Sequence, residues 1–106
     1  MKFNFEKFKK LLDCDDAFLS KLIEIYKKDI TMGLEKISDF ASQADWEKVA
    51  PVAHKLLSST TLLGRDELSQ LLKEIEKNIK LKANAEQLLG LILQLEKKIK
   101  EDLEEL

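Results

Sequence analysis

The stretch WEKVAPVAHKLLSSTTLLG, residues 46–64, decides the fold class of this chain. Its apolar and small residues recur every three or four positions, which is the spacing of one face of an α-helix. This stripe consists of Trp46, Val49, Ala53, Leu56, Thr60 and Leu63. Asp45 precedes the segment as a candidate N-cap, and Gly64 follows it as a candidate helix end. The pattern predicts an amphipathic helix that must bury its stripe against other elements.

The same spacing recurs on both sides of residues 46–64. Before them, a short helix is predicted with the apolar residues Phe5, Phe8 and Leu12. A long second helix follows the aspartates of residues 13–16, with the stripe Phe18, Leu19, Leu22, Ile23, Tyr26, Ile30, Leu34, Ile37 and Ala41. After them, a fourth helix capped by Asp66 and a fifth capped by Asn84 are predicted. Their stripes are Leu68, Leu71, Leu72, Ile75 and Ile79, and then Leu88, Ile92, Leu95, Ile99 and Leu103.

Composition agrees with a single helical domain. The chain shows no sustained alternation of apolar and polar residues, so no sheet is predicted. Its 106 residues can bury one core without help from a disulfide or a metal. We therefore expect an all-α fold, an antiparallel four-helix bundle with a short extra N-terminal helix, as one domain over residues 1–106.

The balance of charges limits the classes of partner that are expected, and the cysteine content indicates the cellular compartment. The net charge is −2, with 18 basic and 20 acidic residues that are well mixed, so neither nucleic acid nor an anionic membrane is expected as a partner. The apolar stretch of residues 88–93 is far too short to span a bilayer, and no signal-peptide pattern is visible. Cys14 is the only cysteine, which fits a cytoplasmic location.

The single histidine, His54, lies away from the centre of the apolar stripe on the third helix. At about 100° per residue, it falls roughly a third of a turn from that centre. Glu47, Pro51, Ser58 and Thr61 share its flank, and all are polar or small. We therefore expect an accessible imidazole rather than a core histidine. A neutral imidazole is a nucleophile, although a lone exposed histidine on a helix is often an ordinary surface residue.

The segment from Ala53 to Gly64, AHKLLSSTTLLG, resembles the signature of histidine-containing phosphotransfer (HPt) domains. That signature reads Ala-His-x-Leu-Lys-Gly-Ser, followed some residues later by Leu-Gly. The residues that match it in type and spacing are Ala53, His54, Leu56, Ser59, Leu63 and Gly64. The following helix also resembles the family pattern of two leucines and an apolar-Glu pair, here Ile75 and Glu76. The five-helix layout is similar to the family's as well.

Two positions depart from the family signature. The family usually has lysine three residues after the histidine and glycine four residues after it, where this chain has Leu57 and Ser58. The lysine is expected to attract phosphate through its charge, a part that Lys55 could partly take over. Serine adds only a small group that could donate a hydrogen bond to phosphate. Both departures also fit an alternative interpretation, in which the chain is a docking bundle of the same architecture that is not phosphorylated.

The resemblance implies a phosphoryl carrier without catalytic activity of its own. His54 would accept a phosphoryl group on Nε2 from an aspartyl phosphate of a response-regulator receiver domain, or within a hybrid sensor histidine kinase, and pass it to another receiver. The receiver would hold the Mg²⁺, and this chain would bind no cofactor or metal. We expect docking or phosphate contacts from residues around His54, namely Glu47, Pro51, Lys55, Leu57, Ser58 and Thr61. An autonomous kinase is not indicated, because the chain has no glycine-rich nucleotide loop.

Overall fold

A computed structural model describes residues 4–106, so residues 1–3 of the predicted domain range lie outside the described part. Every regular element within residues 4–106 is an α-helix. The elements are α1 (Phe5–Leu12), α2 (Asp16–Ser42), α3 (Trp46–Leu62), α4 (Asp66–Lys80) and α5 (Ala85–Glu105). The predicted all-α class and the five predicted helices are therefore confirmed.

The four long helices form an elongated antiparallel bundle. α3 packs between α2 and α4, and α5 closes the bundle by packing against α4 and α2. α3 and α5 thus lie on opposite corners. The short α1 packs against α2, and its Phe8 ring covers Gly64 at the turn between α3 and α4. The predicted four-helix bundle with a short extra N-terminal helix is confirmed.

The helix starts follow the capping residues in most cases. Asp15 and Asn84 accept hydrogen bonds from the backbone N–H groups of Phe18 and Gln87, each at 2.8 Å. Asp45 is the N-cap residue of α3, but its carboxylate pairs with Lys48 at 3.3 Å instead of capping. The N-cap of α4 is Arg65, so the prediction that Asp66 holds this place is wrong.

The start of α4 lies one residue earlier than predicted because of the turn before it. Gly64 has φ +65°, a left-handed conformation that glycine adopts without strain, and it ends α3. The chain is then already positioned at Arg65 to begin the next helix. Asp66 becomes the first residue of α4, where its carboxylate still lies near the positive end of the helix dipole.

The core consists of the centres of the predicted stripes. In α3, the stripe residues Val49, Ala53, Leu56 and Thr60 are buried, while Trp46 is half-buried. In α2, the prediction that Phe18 belongs to the buried face is wrong, because the residue is 54% exposed. It lies about 100° from Leu19, and the buried face of α2 is centred on Leu19, Ile30 and Ile37.

A buried polar network joins three parts of the bundle at the end opposite the α2–α3 turn. The Tyr26 hydroxyl of α2 donates to Oδ2 of Asp102 in α5 at 2.7 Å, and Arg65 Nε donates to Oδ1 of the same carboxylate. Arg65 also donates to Glu105. Burial and the hydrogen bond to Asp102 raise the pKa of Tyr26, which keeps its hydroxyl protonated as a donor. The network fixes the α3–α4 turn relative to α2 and α5.

α2 packs closely against α3 at Gly33. A Cβ atom there would lie 2.5 Å from Cδ2 of Leu56, a side chain that is itself only 3% exposed. Gly90, in the interior of α5, has nothing within 4 Å of the same position. The two helical glycines therefore provide a matched pair, one required by packing and one not.

We expect Gly33→Ala to lower the free energy of unfolding by about 1–3 kcal/mol, because the added methyl overpacks the α2–α3 contact. Gly90→Ala should raise it by about 0.5–1 kcal/mol, since alanine favours helix and meets open space. Urea denaturation of both variants measures this difference. Equal stabilisation by the two substitutions would contradict the close approach of α2 to α3.

Candidate functional site

His54 lies on the outer surface of α3, and its side chain is 70% exposed. The helix beneath it is held by buried neighbours, because Ala53 is fully buried and Leu56 packs against Gly33 of α2. The predicted accessible position of the imidazole is therefore observed. A rigid helix presents the ring to solvent while the backbone that carries it is fixed in the bundle.

Two small hydroxyl side chains meet between α3 and α4. The buried Oγ atoms of Thr60 and Ser69 lie 2.7 Å apart. Thr60 donates its proton to the carbonyl oxygen of Leu57 at 3.1 Å, so Ser69 is the donor to Thr60. His54 lies six residues before Thr60, and Glu76 lies seven residues after Ser69. In an antiparallel pair these steps cover nearly the same rise, which brings His54 and Glu76 to the same level.

The carboxylate of Glu76 in α4 contacts Nδ1 of the His54 imidazole. Nδ1 of His54 lies 3.1 Å from Oε1 and 3.2 Å from Oε2 of Glu76. An ionised carboxylate only accepts hydrogen bonds, so Nδ1 must carry the proton. In the neutral ring the lone pair is then on Nε2, the nitrogen farther from the backbone. Glu76 thereby selects the tautomer in which Nε2 is available as the nucleophile.

The residues predicted to surround His54 are distributed over two sides of α3. Pro51, Leu57 and Ser58 are three or four residues from His54 and therefore neighbour it on the helix surface. Pro51 and Ser58 are exposed, whereas Leu57 is half-buried and packs against the core. α3 begins at Trp46 and continues through Pro51 without interruption.

The remaining predicted site residues lie farther from the imidazole. Glu47 and Thr61 are exposed two turns away, and Thr61 Oγ1 lies 3.5 Å from Ser69 Oγ. Lys55 is exposed about 100° around the helix, on the side away from Glu76. The position of Lys55 makes it poorly suited to stand in for a lysine at position 57.

Sequence reasoning did not predict that Glu76 contacts the histidine. The sequence signal was the Ile75-Glu76 pair, which places a carboxylate directly after a buried residue in the helix that follows His54. The sequence of α4 gives no information on its axial register against α3. The contact between Glu76 and His54 depends on that register.

Residues 4–106 contain neither a cluster arranged as a metal site nor a helix that could cross a membrane. Within residues 4–106, no cluster of three or more His, Cys, Asp and Glu side chains has the arrangement of a metal site. The helices of that same range include none that combines the length and apolar character required to cross a bilayer.

A helical bundle that presents one exposed, carboxylate-oriented histidine is the arrangement expected of a phosphocarrier. The family model of the Hpt domain matches residues 21–106, and the chain belongs to this family. Membership implies histidine phosphotransfer in two-component signalling, where Hpt domains interact with receiver domains and kinases and act as phosphocarriers rather than catalysts. Searches of curated proteins and of solved structures gave no significant match.

The contact between His54 and Glu76 predicts a biased tautomer in solution. Long-range ¹H–¹⁵N NMR spectra of the neutral imidazole should show the Nδ1–H form as the main species. Glu76→Ala should remove this preference, because the acceptor is lost. Glu74→Ala, an exposed position of the same helix, serves as the control. Identical spectra for wild type and Glu76→Ala would contradict the assignment.

Proposed function

We propose that this chain carries a phosphoryl group on Nε2 of His54 in a two-component phosphorelay. The observation that carries the proposal is the exposed imidazole whose Nδ1 faces Glu76 at 3.1 Å, which leaves Nε2 as the reactive nitrogen. The donor and the acceptor would be aspartate side chains of response-regulator receiver domains, one of which could belong to a hybrid sensor histidine kinase.

The transfer forms one bond as it breaks another. The lone pair of Nε2 attacks the phosphorus of an aspartyl phosphate, the P–O bond to the aspartate breaks, and the carboxylate leaves with the bonding electron pair. The ring keeps its Nδ1 proton and becomes an imidazolium. The negative charge of Glu76, in contact with Nδ1, offsets this developing positive charge. A carboxylate plays the same part beside the histidine of catalytic triads.

The reverse step uses the same geometry. Because the phosphorylated ring is cationic while Nδ1 keeps its proton, the imidazole is a good leaving group toward the next aspartate. Phosphoryl transfer depends mostly on positioning and charge stabilisation, so it can be divided between two proteins. We expect the receiver to hold the Mg²⁺ and this chain to supply the nucleophile and its orientation, with no autonomous catalytic activity.

The docking surface for the receiver is proposed on the outer face of α2 and α3. Pro51, Lys55 and Ser58 lie around the histidine on this face. In the register set by Gly33 and Leu56, Met32 lies level with Leu57, one helical turn from His54. Met32 and Leu62 are large apolar side chains that are 47% and 54% exposed, as expected for the apolar part of a protein interface.

We expect this relay to operate in the cytoplasm, with the whole chain folded as one domain. The single thiol, Cys14, is half-buried and unpaired as a disulfide, which fits a reducing compartment. Neither nucleic acid nor a membrane is proposed as a partner, since acidic and basic residues are nearly balanced.

Radiolabelled phosphotransfer tests the proposal. A phosphorylated receiver from the same organism should transfer its label to the wild-type chain, and the label should survive alkali and be lost in acid. His54→Gln should acquire no label, because glutamine keeps a polar side chain but has no nucleophilic nitrogen. Label of equal intensity on His54→Gln would show that another residue is the acceptor.

A docking module without phosphotransfer is the second candidate, favoured by Leu57 and Ser58 at the places of the family's lysine and glycine. Binding measurements separate the two functions when they are run with the same receivers. A complex that forms without transfer of label would support the docking module and contradict the relay.

A further inference from the structure

Phosphorylation of His54 creates a local excess of negative charge. The phosphoryl group brings up to two negative charges close to the carboxylate of Glu76, which stays in contact with Nδ1. Family members usually place a lysine one turn after the histidine, but this chain has Leu57 there, half-buried against the core. Lys55 is on the side of α3 away from Glu76. A lysine of this chain that takes the place of the family lysine would therefore have to lie on another element.

Helix α4 carries two lysines on the face that meets the histidine. Lys73 lies three residues before Glu76 and Lys80 four residues after it, and such positions are neighbours on a helix surface, about 5–6 Å apart at Cβ. Because Glu76 is in contact with His54, each lysine lies one helical turn from the residue that contacts the imidazole, one on either side of it along α4. Lys77, one residue after Glu76, points about 100° farther around the helix.

Both lysine side chains are exposed and have no partner in the described part of the chain. Within residues 4–106, neither Lys73 nor Lys80 forms a hydrogen bond or an ion pair, although Glu76 is within reach of each along the helix. Lysine has a flexible four-carbon stem and a compact charge, so each ammonium group can move toward a new anion without losing an existing partner. Side chains on a helix lean toward its N-terminus, so that of Lys80 leans toward Glu76 and His54, whereas that of Lys73 must turn back along its flexible stem to reach them.

We propose that Lys73 and Lys80 bind the phosphoryl group on Nε2 of His54 and replace the family lysine that Leu57 displaces. This inference rests on the proposed function, because it concerns the phosphorylated state of the same histidine. The two ammonium groups form charge-assisted hydrogen bonds with the phosphoryl oxygens and offset the repulsion from Glu76. They act on the phosphoryl group itself, so their effect does not require a bound receiver.

A small phosphodonor isolates this effect from docking. With potassium phosphoramidate, Nε2 attacks phosphorus, the P–N bond of the donor breaks, and ammonia leaves. The rate of phosphorylation and the half-life of phosphohistidine are followed by ³¹P NMR for wild type and for the double variant Lys73→Gln/Lys80→Gln. Lys97→Gln is the matched control, because Lys97 is exposed, has no partner among the described residues 4–106 and lies on α5, the helix diagonally opposite α3.

We expect the double variant to be phosphorylated about three- to tenfold more slowly than wild type, with a phosphohistidine of shorter half-life, and Lys97→Gln to match wild type. High salt should bring wild type close to the double variant, since it screens exposed charges. Adding Leu57→Lys to the double variant should restore most of the loss, because it returns the charge to the family position.

Equal rates and half-lives for the double variant and Lys97→Gln would overturn the role of the two lysines. Such a result would leave the proposed function intact if wild type still accepts label from a receiver. A wild-type chain that accepts label neither from phosphoramidate nor from any receiver would instead overturn the proposed function, and this inference with it.

Discussion

The geometry of the candidate site depends on how closely α3 packs against α4. The buried hydroxyl pair of Thr60 and Ser69, 2.7 Å apart, allows the two helix backbones to approach and also satisfies the polar groups that this approach buries. Two turns away, the same register places Glu76 against Nδ1 of His54. Larger side chains at the hydroxyl pair are expected to move α4 away from α3 and to weaken the contact between Glu76 and the imidazole.

The rest of the bundle serves to hold α3 in place while leaving one of its faces exposed. Gly33 lets α2 contact Leu56 directly, and the network of Tyr26, Arg65 and Asp102 joins the α3–α4 turn to α2 and α5. These contacts are buried or partly buried, and none of them involves the imidazole. The nucleophile is therefore mounted on a rigid element, which preserves the orientation needed for transfer and leaves the outer face available to a partner.

Apolar periodicity was sufficient to predict the fold because each stripe has the helical period and each turn carries a capping residue or glycine. The spacing of apolar residues also predicted correctly that His54 lies outside the core. The prediction that Phe18 is buried was wrong, because periodicity alone does not give the width of the buried face. Periodicity also missed the buried Asp102, since a charged residue is expected on the surface unless its partners, here Tyr26 and Arg65, are known.

Contacts between helices could not be predicted in the same way. The pairing of Glu76 with His54 depends on the axial register of α3 against α4, which small buried side chains set and no single helical pattern reveals. The departures at Leu57 and Ser58 illustrate the same limit. Taken along one helix, they suggest a weakened phosphate site, whereas the next helix carries two lysines, without partners among residues 4–106, one turn from the glutamate that contacts the histidine.

The role assigned to Glu76 is tested by identifying which ring nitrogen of His54 carries the phosphoryl group. The phosphorylated protein, labelled with ¹⁵N in its single histidine, is studied by ³¹P–¹⁵N correlation NMR, which distinguishes phosphorus bonded to Nε2 from phosphorus bonded to Nδ1. Because Glu76 keeps the proton on Nδ1, we expect phosphorus to be bonded to Nε2 alone. Phosphorus on Nδ1, or a phosphoryl group on any residue other than His54, would contradict it.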